Sequence, residues 1–410
     1  MMDNIDIKDI IKNRNLKIIF EPVVSVIKHS VIGFQVTSIG AENNDQIITM
    51  ETLVDLAEKE ACTIELDRLY REKAIEAFKK IYEKNKEFLL FININASIIS
   101  NYVGSGIIKD LINEFGINHG NVVLEIVEDN VKDIESLKTF INNYRSLGFL
   151  VCLSDMGHGF SNLDKISYVE PDIIKISGAI SKNVECDYYK QEIFKALVNL
   201  SKNIGALVIV DGIESYEQAL TIIELGSDML EGIYFGNSEE IGKELIEKAK
   251  IKVQDVAKQY EDYMKDKIKL EKTKHKSYEE MMENVLGELS KRTEREFDEI
   301  LNNVICINQE FECIYLLNDK GVQVSKTFTY YKNMLQQKAL IFQPAKEGTN
   351  HSLKKYYYFL KNMGLTKYIT EPYISLATGN LCTTISSVFE SKDNKRYILC
   401  IDFNPNDINI

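Results

Sequence analysis

The amino-acid sequence predicts an α/β barrel, then a long helix, then a smaller α+β domain. Three observations predict it. Over the first 240 or so residues, short apolar runs alternate with stretches of helical period. From Glu239 to Arg295 the chain is dense in Lys and Glu, with no proline and only Gly242 and Gly287. Beyond Phe297, apolar runs are separated by turn-forming residues such as Asp319-Lys-Gly321. The expected divisions are 1–240 for the barrel, 241–296 for the helix region and 297–410 for the last domain.

Strands are expected at Leu16–Glu21, Val31–Thr37, Phe88–Asn93, Val122–Val127, Leu150–Ser154, Ile173–Ile176, Leu207–Asp211 and Gly232–Phe235. Helical patterns lie between them at Met50–Glu65, Asp67–Asn85, Ile134–Leu147, Tyr188–Ile204 and Tyr216–Leu225. About eight strands alternating with helices over about 250 residues fit a closed barrel, with an open doubly wound sheet as the alternative. The first two strands are close enough to form a hairpin through Lys28-His29-Ser30, so one early strand is expected to run antiparallel.

In the long helix, Val253, Val256, Tyr260 and Tyr263 follow 3-4-3 spacing. That stripe suits either a coiled-coil seam or a helix lying against its own domain. It fades at Lys267 and Lys274, short of the three or four heptads a coiled coil needs. In the last domain, runs at 312–321, 371–379, 383–389 and 397–403 predict an antiparallel sheet, covered by a helix over 352–364.

Acidic residues outnumber basic ones 62 to 49, giving a formal net charge of −13. That balance argues against binding a nucleic-acid polymer, because phosphate neutralisation needs a basic surface. A local basic pocket for one small dianion remains compatible with it. No apolar run reaches the roughly 18 residues of a membrane helix, and Met1–Asn15 has no signal-peptide core. Seven cysteines at scattered spacings, with Cys306 and Cys313 the nearest pair, point to reduced thiols and a cytoplasmic setting.

The segment richest in chemistry runs from Val151 through Ser154, Asp155 and the glycines 157 and 159 to Leu163, followed by Pro171–Ile176. An apolar strand delivers Ser154 and Asp155 to its end, and a second strand delivers Lys175. Strand C-termini are where barrel chemistry sits. This segment resembles the signature of the EAL family of cyclic-di-GMP phosphodiesterases, in which two aspartates stand where this chain has Ser154 and Asp155. Other segments extend the resemblance over about residues 16–238. Gly33–Thr37 falls where the name-giving Glu-Ala-Leu is expected, with Gln35 at the metal-binding glutamate. Phe91–Ser97 is similar to an Asn-x-Ser segment, with Asn95 at the ligand asparagine. Leu124–Glu128 matches a Glu-x-x-Glu segment, with Glu125 at a metal glutamate and Glu128 at a loop-ordering one. Val210–Glu214 places Glu214 at a late catalytic glutamate. Leu230–Phe235 is similar to the closing segment, with Glu231 where glutamine is usual.

The resemblance implies a two-metal site for Mg²⁺ or Mn²⁺ that activates water against a phosphodiester. Of its four usual carboxylates, Glu125 and Asp155 remain, while Gln35 and Ser154 replace the others. The implied outcome is a degenerate phosphodiesterase acting as a receptor or protein-docking module, with no cofactor or with residual metal held by Asn95, Glu125 and Asp155; the alternatives are an active phosphodiesterase with a rearranged metal site and an interaction or sensor module that binds no nucleotide. Nucleotide binding would fall to Asp67, Asn95, Lys175, Glu214 and Glu231, against the loss of a phosphate-clamping arginine at Ile39. His158 lies in the loop after Asp155, as a ligand or as an ordinary solvated side chain. The 297–410 domain resembles PAS- or Cache-type sensory modules, which implies an unidentified small ligand. Tyr356, Tyr357 and Tyr358 are candidates to face that ligand, or to be core and rim. A protein partner and a homodimer are implied by the resemblance alone.

Overall fold

The computed structural model describes residues 6–43, 46–94, 107–127, 134–157, 163–330 and 342–404. The chain divides into two compact units, Met1–Met264 and Lys265–Ile410. Among the described residues, no helix is long and apolar enough to cross a membrane.

Nine strands build the first sheet: β1 (Lys17–Ser25), β2 (Ser30–Asn43), β3 (Gln46–Ile48), β4 (Leu89–Ile94), β5 (Val122–Val127), β6 (Leu150–Met156), β7 (Ile173–Ile176), β8 (Leu207–Val210) and β9 (Met229–Leu230). Pairing of β1 with both β2 and β9 closes the sheet into an eight-stranded barrel, and β3 hangs on the far end of β2. The hairpin expected at 28–30 is present. β1 runs antiparallel to β2, with Ser25 opposite Ser30 and His29 turning the chain at φ 53°. The remaining neighbours, β2–β4 through β8–β9, are parallel.

Helices begin and end where local chemistry dictates. Thr49, Asp187 and Ser215 cap the helices Met50–Lys59, Tyr188–Ile204 and Tyr216–Glu224 with side-chain oxygens. Gly205, at φ 80°, ends the second of these. The boundary between the helices expected over 50–65 and 67–85 is displaced: the first stops at Lys59, Ala61 takes φ 54°, and the second runs Thr63–Tyr82. One left-handed residue sets the break a few residues before the point that the apolar period marks. The last expected strand is also displaced. Residues 232–235 form a turn, closed by Phe235 N–H donating to the Gly232 carbonyl at 3.0 Å. The strand sits just before it because Gly232 takes φ 145°, and a Cβ there would lie 2.3 Å from the Ile213 nitrogen.

Two apolar layers hold the barrel. The larger, between strands and helices, includes Phe20, Phe34, Phe78 and Phe194. Helix Lys243–Leu289 adds Leu245, Ala249, Val253, Val256 and Ala257 to this layer. The Val253–Val256 part of the stripe therefore packs on its own domain, and Tyr263 reaches Glu224 at 2.8 Å. The smaller layer fills the barrel interior with one residue from each of six strands: Val23, Phe91, Val123, Cys152, Ile173 and Ile209.

The second unit is an antiparallel sheet ordered β11 (Phe328–Thr329), β10 (Phe311–Asn318), β15 (Arg396–Phe403), β14 (Leu381–Glu390), β12 (Lys367–Ile369), with β13 (Tyr373–Ile374) also on β14. Central strand β15 is buried on both faces. Tyr397, Leu399, Ile401 and Phe403 meet helix Phe297–Ile307, while Ile398 and Cys400 meet helix Lys355–Asn362. Of the tyrosine trio, Tyr356 and Tyr357 are buried in that second face and Tyr358 is exposed. Every cysteine is a free thiol.

A neutral hydrogen-bond relay ties this face together. The Gln323 amide nitrogen donates to the Ser325 carbonyl, so its oxygen accepts from His351 Nε2 at 2.9 Å. His351 Nδ1 then accepts from the Tyr356 hydroxyl at 2.9 Å, which accepts from Tyr315 at 2.8 Å. Burial, with Lys354 nearby, lowers the imidazole pKa to about 4. The unfolded histidine binds a proton below about 6.5, and the folded one only near 4. Stability is therefore full above 6.5 and is lost as pH falls toward 4. Chemical unfolding of the second unit, followed by tyrosine circular dichroism, should show about 1–2 kcal/mol lost across that window after allowance for solvent screening. His351→Gln should flatten that dependence.

Candidate functional site

In a barrel strand, residues two apart share a face. The interior plug therefore dictates what lies above it. Two residues beyond Phe91, Val123, Cys152, Ile173, Ile209 and Met229 come Asn93, Glu125, Ser154, Lys175, Asp211 and Glu231. On antiparallel β1 the order reverses, and Glu21 precedes Val23 by two. With Gln35 of β2, these residues make a polar ring at the C-terminal end of the parallel strands, where barrel enzymes place their chemistry.

Lys175 is the hub of the ring. Its ammonium donates to Gln35 Oε1 at 3.2 Å, to Glu125 Oε1 at 3.3 Å and to Glu231 Oε1 at 3.1 Å. An ammonium has three protons, and here three side chains accept them. Each of the four residues is buried. The second Glu231 oxygen lies 2.9 Å from Lys175 Nζ, but it is not aligned for a hydrogen bond and has no other donor among the described residues. Gln35 is fixed at its other end, its amide nitrogen donating to Asn93 Oδ1 at 3.2 Å and to the Val36 carbonyl.

The charges do not balance, because one cation faces two buried carboxylates with Asp211 and Glu21 beside them. Burial disfavours the Lys175 charge, but Glu125, Glu231 and Asp211 outweigh it and raise the pKa well above that of a free lysine. Burial pushes the Glu231 carboxyl up to about 8 against the pull of Lys175, with Asp211 and Glu125 adding repulsion. Burial and Asp211 likewise raise Glu21.

The remaining candidates are not among the three acceptors of Lys175. Ser154 is buried in the ring, but its hydroxyl donates to the Ile126 carbonyl at 3.3 Å. Asp155 follows at φ 55°, half-buried. Glu214 is exposed, and its backbone N–H donates to Gln218 at 2.8 Å. Asp67 is held by Arg71 of its own helix at 2.7 Å. Asn95, Glu128 and His158 lie outside the described residues. Sequence reasoning missed Glu21, Asn93 and Asp211, although the two-residue alternation that marks Glu125 and Lys175 marks them equally.

Among the described residues, no three His, Cys, Asp or Glu side chains are grouped so that they could hold a metal ion. Both Glu125 oxygens face the Lys175 ammonium, at 3.3 and 3.4 Å. Glu125 and Glu231 are thus both engaged by a cation of the protein's own.

The EAL domain family matches residues 5–238. The EAL-domain containing protein YkuI of Bacillus subtilis is 24% identical over 381 residues, covering 90% of each chain. The cyclic di-GMP phosphodiesterase PdeA of Borreliella burgdorferi is 25% identical over 190 residues, covering 46% of this chain and 28% of that one. The chain spans less than half the length of the phosphodiesterases it matches, 40% of PdeB of Escherichia coli and 49% of PdeG. The crystal structure of YkuI, in complex with cyclic-di-GMP and calcium, superposes with a TM-score of 0.80 at 20% identity, over 98% of this chain and all of that one. At that identity the likeness establishes the fold.

Glu231 offers a pH-dependent signature. Its folded carboxyl keeps a proton up to about 8, while an unfolded one loses it near 4.5. Between those values the folded state binds the extra proton, so stability falls as pH rises. Replacing the carboxyl with an amide removes that penalty. Glu231→Gln should gain stability relative to wild type from pH 5 to pH 8, with a slope of at most about 1.4 kcal/mol per pH unit. Urea unfolding at stepped pH measures it, and a pH-independent difference would clear Glu231 as the proton-binding group.

Proposed function

The chain belongs to the EAL domain family, and on that premise we propose that its barrel is a regulatory, non-hydrolysing member that works in cyclic-di-GMP signalling. One observation carries the reading: the side chains at the positions of two expected acids are buried, neutral and already engaged. The Gln35 oxygen faces Lys175, and the Ser154 hydroxyl serves a backbone carbonyl. Neither brings an anionic oxygen to a dication. Two metal ions would carry a charge of +4 into a site lacking two of its usual negative partners, at a cost of several kcal/mol in metal affinity. Loss of even one group that stabilises a developing charge slows catalysis about 10²–10³-fold.

Glu231 deepens the reading. The resemblance places glutamine there and glutamate at position 35, so this chain has exchanged amide and carboxylate across Lys175. The lysine, which the resemblance directs at water or phosphate, here donates to a second buried carboxyl. The ring is thus assembled as a closed ion cluster. Asn95 and Asp155 would hold residual Mg²⁺ or Mn²⁺ only if Glu125 turned away from Lys175. In this reading the barrel serves as a receptor or a protein-docking surface, within a homodimer whose 297–410 domain is a PAS-like sensor.

Pure protein incubated with cyclic-di-GMP and millimolar Mg²⁺ or Mn²⁺, followed by HPLC, should release no linear pGpG. Steady product formation that Glu125→Ala abolishes would overturn the proposal. Restoring both acids, with Gln35→Glu and Ser154→Asp, should raise Mn²⁺ affinity by more than the two single changes combined, because the groups share ligands. Calorimetry with cyclic-di-GMP separates the two roles: saturable heat assigns a receptor, and none at high micromolar ligand assigns a docking surface.

A further inference from the structure

The second unit holds a cavity of about 570 Å³ at one end of its sheet, beside the β10 turn at Asn318 and the start of β15. That volume lies within the range of small-molecule sites. Its floor is apolar, formed by Leu360, Val388 and Ile398. Lys361, Lys395 and Arg396 line it against the carboxylates of Glu294 and Asp319, three cations to two anions.

The partners of these charges decide what the cavity suits. Glu294 accepts from the Tyr397 hydroxyl at 2.5 Å, a neutral donor that holds one of its oxygens and leaves its charge in place. Lys361 donates to the Asp319 backbone carbonyl at 2.7 Å, a neutral acceptor that leaves its charge in place. Lys395 pairs with Asp393 at 3.1 Å, outside the lining. Arg396 has neither a hydrogen bond nor an ion pair among the described residues, and its cross-strand neighbour Glu390 lies beyond pairing distance. A planar guanidinium with five free donors therefore stands at the edge of an apolar floor, with a second cation nearby.

We propose that this cavity binds a small organic anion, its acidic group on Arg396 and its apolar body on Leu360, Val388 and Ile398. Guanidinium recognition favours a carboxylate or another flat oxyanion that can take two parallel hydrogen bonds. The apolar floor requires a carbon body of several atoms, which excludes inorganic anions as the occupant. Tyr397 and Glu294 also line the cavity, and Glu294 stands in the turn just before helix Phe297–Ile307.

The test uses the full chain and 8-anilinonaphthalene-1-sulfonate, an anion with an aromatic body. The expected result is saturable one-to-one binding with blue-shifted fluorescence, displaced by octanoate and not by inorganic phosphate or octanol. Arg396→Gln should weaken binding at least tenfold, and Val388→Trp should abolish it by filling the floor. Lys291→Gln, an exposed cation outside the cavity, should bind like wild type. Circular dichroism confirms that each variant is folded, and the exposed Arg396 makes no contact whose loss would unfold the sheet. Binding that survives both Arg396→Gln and Val388→Trp, displacement by octanol as readily as by octanoate, or the absence of any saturable binding would overturn the proposal.

Discussion

One ammonium group organises the mouth of the barrel. Lys175 is buried with two carboxylates and an amide, and its three protons reach acceptors 140, 50 and 56 residues away in sequence. A buried lysine without partners would cost several kcal/mol, and so would either glutamate without the lysine. The cluster is therefore stable only when it is complete. β2, β5, β7 and the segment after β9 must all be in place before any of these charges is compensated. Burial, with the repulsion of Asp211 and Glu125 added, outweighs the pull of the one lysine, so Glu231 keeps its proton up to about 8.

The second unit also buries polar groups but manages them without a cation. Asp402 lies at the centre of the sheet, accepting from Thr384 at 2.7 Å, Cys313 at 3.2 Å and Ser375 at 3.3 Å. Burial raises its pKa, because these neutral donors only partly replace water. The His351 relay is neutral as well, its proton order fixed by the orientation of the Gln323 amide. The barrel concentrates charge at one end of its strands, whereas the sheet disperses polarity among hydroxyls, thiols and amides.

Much of this architecture is legible in the sequence. The strand–helix alternation gives the barrel, the Lys28–Ser30 turn gives the antiparallel hairpin, and Asp187 and Gly205 mark both ends of a helix. The residues of the ring follow the interior apolar residues at a spacing of two, which makes even the overlooked Glu21, Asn93 and Asp211 readable. The failures are local backbone events. Ala61 turns left-handed and moves the boundary between two helices, and Gly232, whose close approach to Ile213 only a glycine allows, turns the chain where the last strand is expected. Neither event leaves a trace in hydrophobic period.

Sequence alone determined which residue types stand at the strand ends, since alternation along a strand is a property of the covalent chain. It also determined that an amide and a hydroxyl occupy positions 35 and 154. Only the tertiary structure decided which acids Lys175 would hold, that Glu231 would join Glu125 on it, and that Glu214 and Asp67 would stand apart from the cluster. Those choices depend on barrel closure, which brings side-chain atoms of distant strands to 3.2 and 3.1 Å of one another while burying them. At that range and depth, a side chain's charge is set by its neighbours more than by its own chemistry.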